Sequence, residues 1–519
     1  MSLYRNFINV GVMTTGSRIL GFIRDALVAA VLGTGPAADA YLAAFRFPNL
    51  FRRLFAEGAF NTAFIPLFAK ELEQDGVEPA RLWAARILSW LVMAVTSVTI
   101  VVEIFMPWIL PIFVPGFLDD PAKFDLTVLL TRICFPYLMC MSLMAAYAGI
   151  LNGLGRFTAS SFAPILLNIV MIAFMLPLVI WRNTDIQTAI WIAIGTIAGG
   201  IAQLAMVYFA VRRANFVPRL HWPKFDAEVR RFWVLAIPAV LTGGITQINI
   251  FVGTIIASGA PSAISYLYYA DRLYQLPLGI IGIAIGTVLL PELARHLTGG
   301  RDAEADAAQN QSLLLSMLLS MPAATALIAL AFPIVRVLFQ HGAFDAMATV
   351  ETSKTLIWFA AGLPAYVLIR VLQPGFFARE DTLTPTYTAG ISAIINIVVS
   401  LALFPSLQHV GIAIATSLAA WANAVLLAVM LHRRGHFSLP RADWGRHALI
   451  ITASVAMGVV LWGLSIPAAP FFSLHAHLLV QLVALGALCT VGAVLYFALV
   501  HVTGAQPLGL LLRRLRRGA

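Results

Sequence analysis

The chain has 519 residues, of which 60% are apolar and 11% charged, with a mean hydropathy of +0.87. Soluble domains carry about 45–50% apolar and about 25% charged residues, and disordered chains are charge-rich and poor in aromatics, so both classes are excluded. A net charge of +10 and an isoelectric point near 9.8 would suggest nucleic acid in a soluble protein, but in a membrane protein they fit a cytoplasmic excess of Lys and Arg.

Apolar blocks between polar breaks define about fourteen spans of the roughly 20-residue length that crosses a bilayer. They run near 7–31, 37–70, 87–112, 126–153, 160–181, 187–211, 232–257, 263–294, 311–335, 350–377, 385–404, 409–431, 448–468 and 477–502. Barrel strands are shorter and alternate polar with apolar, which disfavours a β-barrel. The first block is interrupted by Arg18, Arg24 and Asp25, whereas a cleavable signal needs an uncharged core, so it is expected to be retained. The second and eighth blocks are longer than a crossing requires, which predicts tilted or broken helices. Cys134, Cys140 and Cys489 lie in apolar blocks without metal-type spacing and are expected to be packing residues.

With the N-terminus inside, the even-numbered connections and the C-terminus carry about 22 of the 34 Lys and Arg, as the positive-inside rule demands. Arg212, Arg213, Arg219, Lys224, Arg230 and Arg231 share one such connection, and Arg513, Arg514, Arg516 and Arg517 form the tail. Lys123, Arg182 and Arg336 are counted on the opposite side. Both termini are therefore expected in the cytoplasm.

The chain repeats itself. Residues 36–72 align without gaps on residues 261–297 at an offset of 225, pairing Pro36 with Pro261, Tyr41 with Tyr266, Thr62 with Thr287 and Pro66 with Pro291. Six spans separate the copies, an even number, so the halves share one orientation. Parallel six-helix halves are a recurrent transporter plan. The expected fold is an all-α polytopic membrane protein with about fourteen transmembrane helices. Its expected parts are one lobe over 1–220, a second over 221–440, and two C-terminal helices with a basic tail over 441–519.

Charge inside the spans is the informative feature, because a central charge costs roughly 2.5–3.5 kcal/mol unless it faces water or a partner. Arg18, Arg24, Asp25, Asp39, Arg46, Arg52, Arg53 and Glu57 fall in the first two spans, and Asp271 and Arg272 in the eighth. Helical spacing can pair Arg53 with Glu57 and Arg18 with Asp25, while Arg24 and Arg52 have no acid three or four residues away on their own helix. Six Arg against four carboxylates leave a surplus of two positive charges. Guanidinium groups bind phosphate and carboxylate oxygens bidentately, so a cationic cavity for an anionic ligand is expected, with an internal salt-bridge network as the other reading. Gln247, Asn249, Asp381 and Thr384 are weaker polar candidates, for a cation site or for helix caps and interhelical bonds. Glu103 and Arg132 form a further candidate pair. The chain has no phosphate-binding G-x-x-x-x-G-K-[ST] loop, no H-E-x-x-H and no G-x-S-x-G, so an enzyme is not expected.

The runs SRILGFIRDALVA and ADAYLAAFRFPNLFRRLFAEGAFNTAFIPLFA, with the later YYADRLYQLPLGIIGIAIGTVLLPELA and PGFFAREDTLTP, resemble the MurJ (MviN) family of lipid II flippases. The resemblance spans nearly the whole chain. It implies the multidrug/oligosaccharidyl-lipid/polysaccharide exporter superfamily, with a hydrophobic groove for a lipid tail near 448–502. It also implies movement of lipid II, an undecaprenyl-diphosphate-linked peptidoglycan precursor, from the cytoplasmic to the periplasmic leaflet of a bacterial inner membrane. Arg18, Arg24, Asp39, Arg52 and Arg272 match the family's cavity residues, and Glu57 lies in the motif. Asp25, Arg46, Arg53 and Asp271 are secondary candidates, Arg46 standing where many members carry Lys. Some members have a sodium site in the seventh and eleventh spans, whose acidic seventh-span ligand has no counterpart beside Gln247 and Asn249. The expected partners are lipid II, membrane phospholipid and cell-wall synthesis proteins, with no nucleic acid. A monomer without cofactor is expected, coupled at most to a cation of unassigned identity. The alternatives are export of another lipid-linked oligosaccharide or a small molecule, and a non-transporting lipid-binding scaffold.

Overall fold

A computed structural model describes residues 3–53, 61–181, 184–473 and 476–505. Among these every regular element is a helix. Two compact units emerge from packing, one of Met1–Ser265 with His341–Phe344, the other of Tyr266–Gln340 with Asp345–Ala519. The first holds α1 (Leu3–Leu32), α2 (Pro36–Phe51), α3 (Asn61–Gln74), α4 (Val77–Phe113), α5 (Pro121–Cys134), α6 (Tyr137–Gly153), α7 (Thr158–Ile180), α8 (Asp185–Arg213) and α9 (Ala227–Ala257). The second holds most of α10 (Ala263–Thr298), then α11 (Asp302–Ala329), α12 (Ala331–Phe339), α13 (Ala346–Phe377), α14 (Leu383–Arg433), α15 (Arg441–Ala468) and α16 (Leu478–Val502). The repeat divides the chain at 220 by internal similarity. Packing groups α9 with the helices before it, and the two divisions answer different questions.

All fourteen apolar blocks fall on helices. Nine stretches among the described residues are long and apolar enough to cross a membrane. The overlong second block carries α2 and α3 on either side of residues 54–60, which lie outside the described residues, and the eighth is the single 36-residue α10, with Pro277 and Pro291 inside it. The eleventh and twelfth blocks join in α14, whose regular path is interrupted at Gln408, φ 46° and ψ −127°.

Close helix approach in lipid relies on small residues, and α8 of the first unit shows it. A Cβ at Gly199 would stand 2.5 Å from Leu167 of α7, and one at Gly200 would stand 2.6 Å from Tyr137 of α6. Aromatic contacts fill the interior, with Phe113 of α4 bridging Phe47 of α2 at 4.1 Å and Phe251 of α9 at 4.2 Å. Residues 341–344 join this unit because Ala343 N donates to Ala30 O at 2.8 Å. Gly33 (φ 65°) lies directly beneath, where a Cβ would come within 2.3 Å of Ala343 O. In the second unit α15 and α16 pack on α11. Gly458 abuts Thr325, where a Cβ would meet the Thr methyl at 2.3 Å, and Tyr496 Oη donates to Leu318 O at 2.8 Å.

Candidate functional site

α1 is a 30-residue helix whose last fourteen residues, 19–32, are apolar except for Arg24 and Asp25. Both are buried. Adjacent helical residues diverge by about 100°, so periodicity alone does not pair them. The long Arg24 side chain folds back, and its Nη2 and Nε donate to Asp25 Oδ1 at 2.8 and 3.0 Å. Arg24 Nη1 donates to Asn168 Oδ1 of α7 at 3.0 Å. Arg24 thus has an acid partner after all, one residue away rather than three or four. That contact engages Asp25 with Arg24, where spacing had offered it to Arg18. Arg18, two turns earlier on α1, is exposed.

α2 begins at Pro36 behind Gly35, with Asp39 in its first turn, where a carboxylate is favoured by the helix dipole. Asp39 is fully buried. Its Oδ2 accepts from Lys123 Nζ of α5 at 2.9 Å, and its Oδ1 accepts from Ser265 N and Oγ at 3.0 and 2.6 Å. Lys123 is itself 8% exposed, with Nζ 3.8 Å above the Phe117 ring. The sequence count placed Lys123 among loop charges, and the fold makes it a buried counter-ion. Asp120 starts α5 and its carboxylate accepts from Lys123 N at 3.1 Å, which fixes the backbone that carries this side chain.

Further along α2, Arg46 Nη1 donates to Thr254 Oγ1 of α9 at 3.0 Å. Asn49 Nδ2 donates to Phe45 O, and Arg52 Nε donates to Asn49 Oδ1 at 3.0 Å. Arg52 is half-buried and Arg53 exposed. Glu57, and with it the expected Arg53–Glu57 pair, lies outside the described residues, as does the basic tail beyond 505.

In the second unit Arg272 Nη2 donates to Tyr268 Oη at 3.2 Å, and its guanidinium lies 4.8 Å over the Tyr268 ring. Gln275, one turn on, donates to Asp271. Asp381 and Thr384 resolve as a helix start. Thr384 N donates to Asp381 Oδ1 at 2.9 Å, and Arg434 reaches both the Asp381 carboxylate and, at 2.8 Å, Thr384 Oγ1. Burial pushes the Asp381 carboxyl up, but bonds from Thr384 and Arg434 outweigh it and hold it at about 2. Gln247 and Asn249 on α9 are half-buried. Arg132 Nε donates to the backbone carbonyl of Glu103 at 2.9 Å, not to its carboxylate. Among the described residues no three His, Cys, Asp or Glu side chains are grouped as a metal site.

Lys123, Asn168 and Thr254 were missed as partners from sequence. Lys123 had one faint signal, being one of only four Lys in the chain. Asn168 is a lone amide in an apolar run, and nothing local assigns its partner.

An all-α chain with many apolar spans, and with guanidinium groups buried or half-buried among neutral and acidic partners inside them, is a polytopic membrane protein of the transporter class. The profile of the family described as "Lipid II flippase MurJ" matches residues 28–482. A "Probable lipid II flippase MurJ" of Rhizobium tropici is 46% identical over 518 residues, covering 100% of this chain and 97% of that protein. Among solved structures, "Lipid II flippase MurJ, inward closed conformation" superposes with a TM-score of 0.78 at 25% identity, covering 96% of this chain and 98% of that one. An inward-facing multidrug resistance MATE transporter of the MOP superfamily shares the fold, with a TM-score of 0.67 at 14% identity over 80% of this chain and 94% of that one. The chain belongs to the lipid II flippase MurJ family.

Proposed function

We propose that this protein translocates lipid II across the bacterial inner membrane by alternating access, gripping its diphosphate with arginine. The observation that carries the reading is Arg24. It is a guanidinium within a span, 9% exposed, shared between the Asp25 carboxylate and the neutral Asn168 amide. Arg18, Arg52 and Arg272 are proposed as further diphosphate-binding residues, and Asp39 and Glu57 to orient or release arginines. The positive-inside count supports cytoplasmic termini. Membrane potential supplies drive in this scheme, one charge across 100 mV being worth about 2.3 kcal/mol. No chemistry on the substrate and no resident cofactor are invoked, and any coupling cation is of unassigned identity. A monomer that meets membrane phospholipid and cell-wall synthesis proteins, and no nucleic acid, completes the proposal.

The test is depletion of the protein followed by a leaflet-specific assay for lipid II, with rescue by wild type or by Arg24→Ala, Arg52→Ala or Arg272→Ala. Normally expressed variants are expected to lose translocation. Full rescue by Arg24→Ala and Arg52→Ala refutes the arginine grip.

A further inference from the structure

Asn168 sits on α7 at 4% exposure and spends both ends of its amide on α1. Its Oδ1 accepts from Arg24 Nη1 at 3.0 Å, and its Nδ2 donates to Ser17 O at 3.0 Å. A guanidinium only donates, so the oxygen must face Arg24 and the amide orientation is determined. Ser17 and Arg24 are seven residues apart, about two helical turns, and one side chain therefore ties the arginine head to a fixed point on its own helix. Gly21 lies between them. A Cβ there would touch the Asn168 amide at 3.5 Å, and anything larger would push the amide away.

The chemical type of the residue matters as much as its place. Asp25 already brings a carboxylate to Arg24 Nε and Nη2. A second carboxylate at 168 would hold the guanidinium more tightly but leave the cluster net negative, one guanidinium then facing two carboxylates. A neutral amide aims the same nitrogen and leaves it exchangeable for a phosphate oxygen. We propose that Asn168 is a positioning residue for Arg24, presenting the guanidinium to a diphosphate without placing a second negative charge beside it. This rests on the reading that Arg24 binds the diphosphate.

The experiment uses the full chain in nanodiscs with undecaprenyl diphosphate as probe, measuring affinity and thermal midpoint for wild type, Asn168→Asp, Asn168→Leu, Arg24→Gln and Arg24→Gln/Asn168→Asp. Asn168→Leu is expected to weaken both affinity and stability. Asn168→Asp, nearly isosteric, is expected to keep or raise the midpoint while affinity falls about tenfold, since it retains the acceptor and adds a counter-charge. In the Arg24→Gln background Asn168→Asp is expected to change affinity no further. A merely structural role would make affinity follow stability, which Asn168→Asp breaks. If Asn168→Asp binds within about twofold of wild type while Arg24→Gln is weakened, the positioning role is overturned and the diphosphate reading stands. The positioning role is also overturned if Asn168→Asp weakens binding equally in both backgrounds. If Arg24→Gln binds as wild type does, the diphosphate reading fails and the positioning role falls with it.

Discussion

Lys123→Met removes the cation that the structure places on the fully buried Asp39 carboxylate. The Lys123 Nζ to Asp39 Oδ2 distance is 2.9 Å, with side chains 8% and 0% exposed. Removing one partner of a buried pair costs about 3–5 kcal/mol, because the other charge stays behind without compensation. Here Asp39 Oδ1 keeps its bonds from Ser265 N and Oγ, so the lower end, about 3 kcal/mol, is expected. That corresponds to about a hundredfold rise in the open population of the α2–α5 contact. Hydrogen exchange on the full chain in nanodiscs reads it directly, at the amides of the first turns of α2 and α5. Asp39→Asn in the Lys123→Met background removes the orphaned charge, keeps an acceptor for Ser265, and is expected to restore most of the protection. If Lys123→Met exchanges within about threefold of wild type, the pair adds little net stability, and Ser265 alone holds Asp39.

Gly33→Ala forces a left-handed backbone (φ 65°) on a residue with a Cβ, 2.3 Å from Ala343 O. It is expected to destabilise by at least about 2 kcal/mol and to lower the thermal midpoint, while Gly11→Ala, with nothing within 4 Å, is expected not to. Asp381 ionises at about 2 in the folded chain against an ordinary 3.8, so its contribution is present above the ordinary value and is lost as pH falls from about 4 toward 2. With the Asp381 side chain 22% and Arg434 45% exposed, solvent screening limits this to about 1 kcal/mol. Asp381→Asn is expected to flatten acid-induced loss of stability in that window, and an unchanged pH profile would show that the pair contributes nothing.

The helices, and the residues worth asking about, were legible in the sequence. The apolar blocks mark where the helices fall among the described residues, because in lipid a backbone must satisfy its own hydrogen bonds, and length and apolarity carry that requirement. The expense of charge in the same medium singled out Arg24, Asp39 and Arg272. Contacts one turn apart, Asp271 with Gln275 and Arg272 with Tyr268, lie within the reach of helical spacing, although the pairs that spacing named were Arg18 with Asp25 and Arg53 with Glu57. Spacing could not reach further. Arg24 meets Asn168 across 144 residues, Asp39 meets Lys123 across 84, and Asp39 meets Ser265 across 226. Those partners are set by which helices pack together, which glycines let them approach, and how far a flexible side chain folds back. The sequence by itself determined a bundle of apolar helices with a few costly charges inside. Only the tertiary structure decided which partners meet those charges, because pairing across helices depends on packing and not on spacing along one helix.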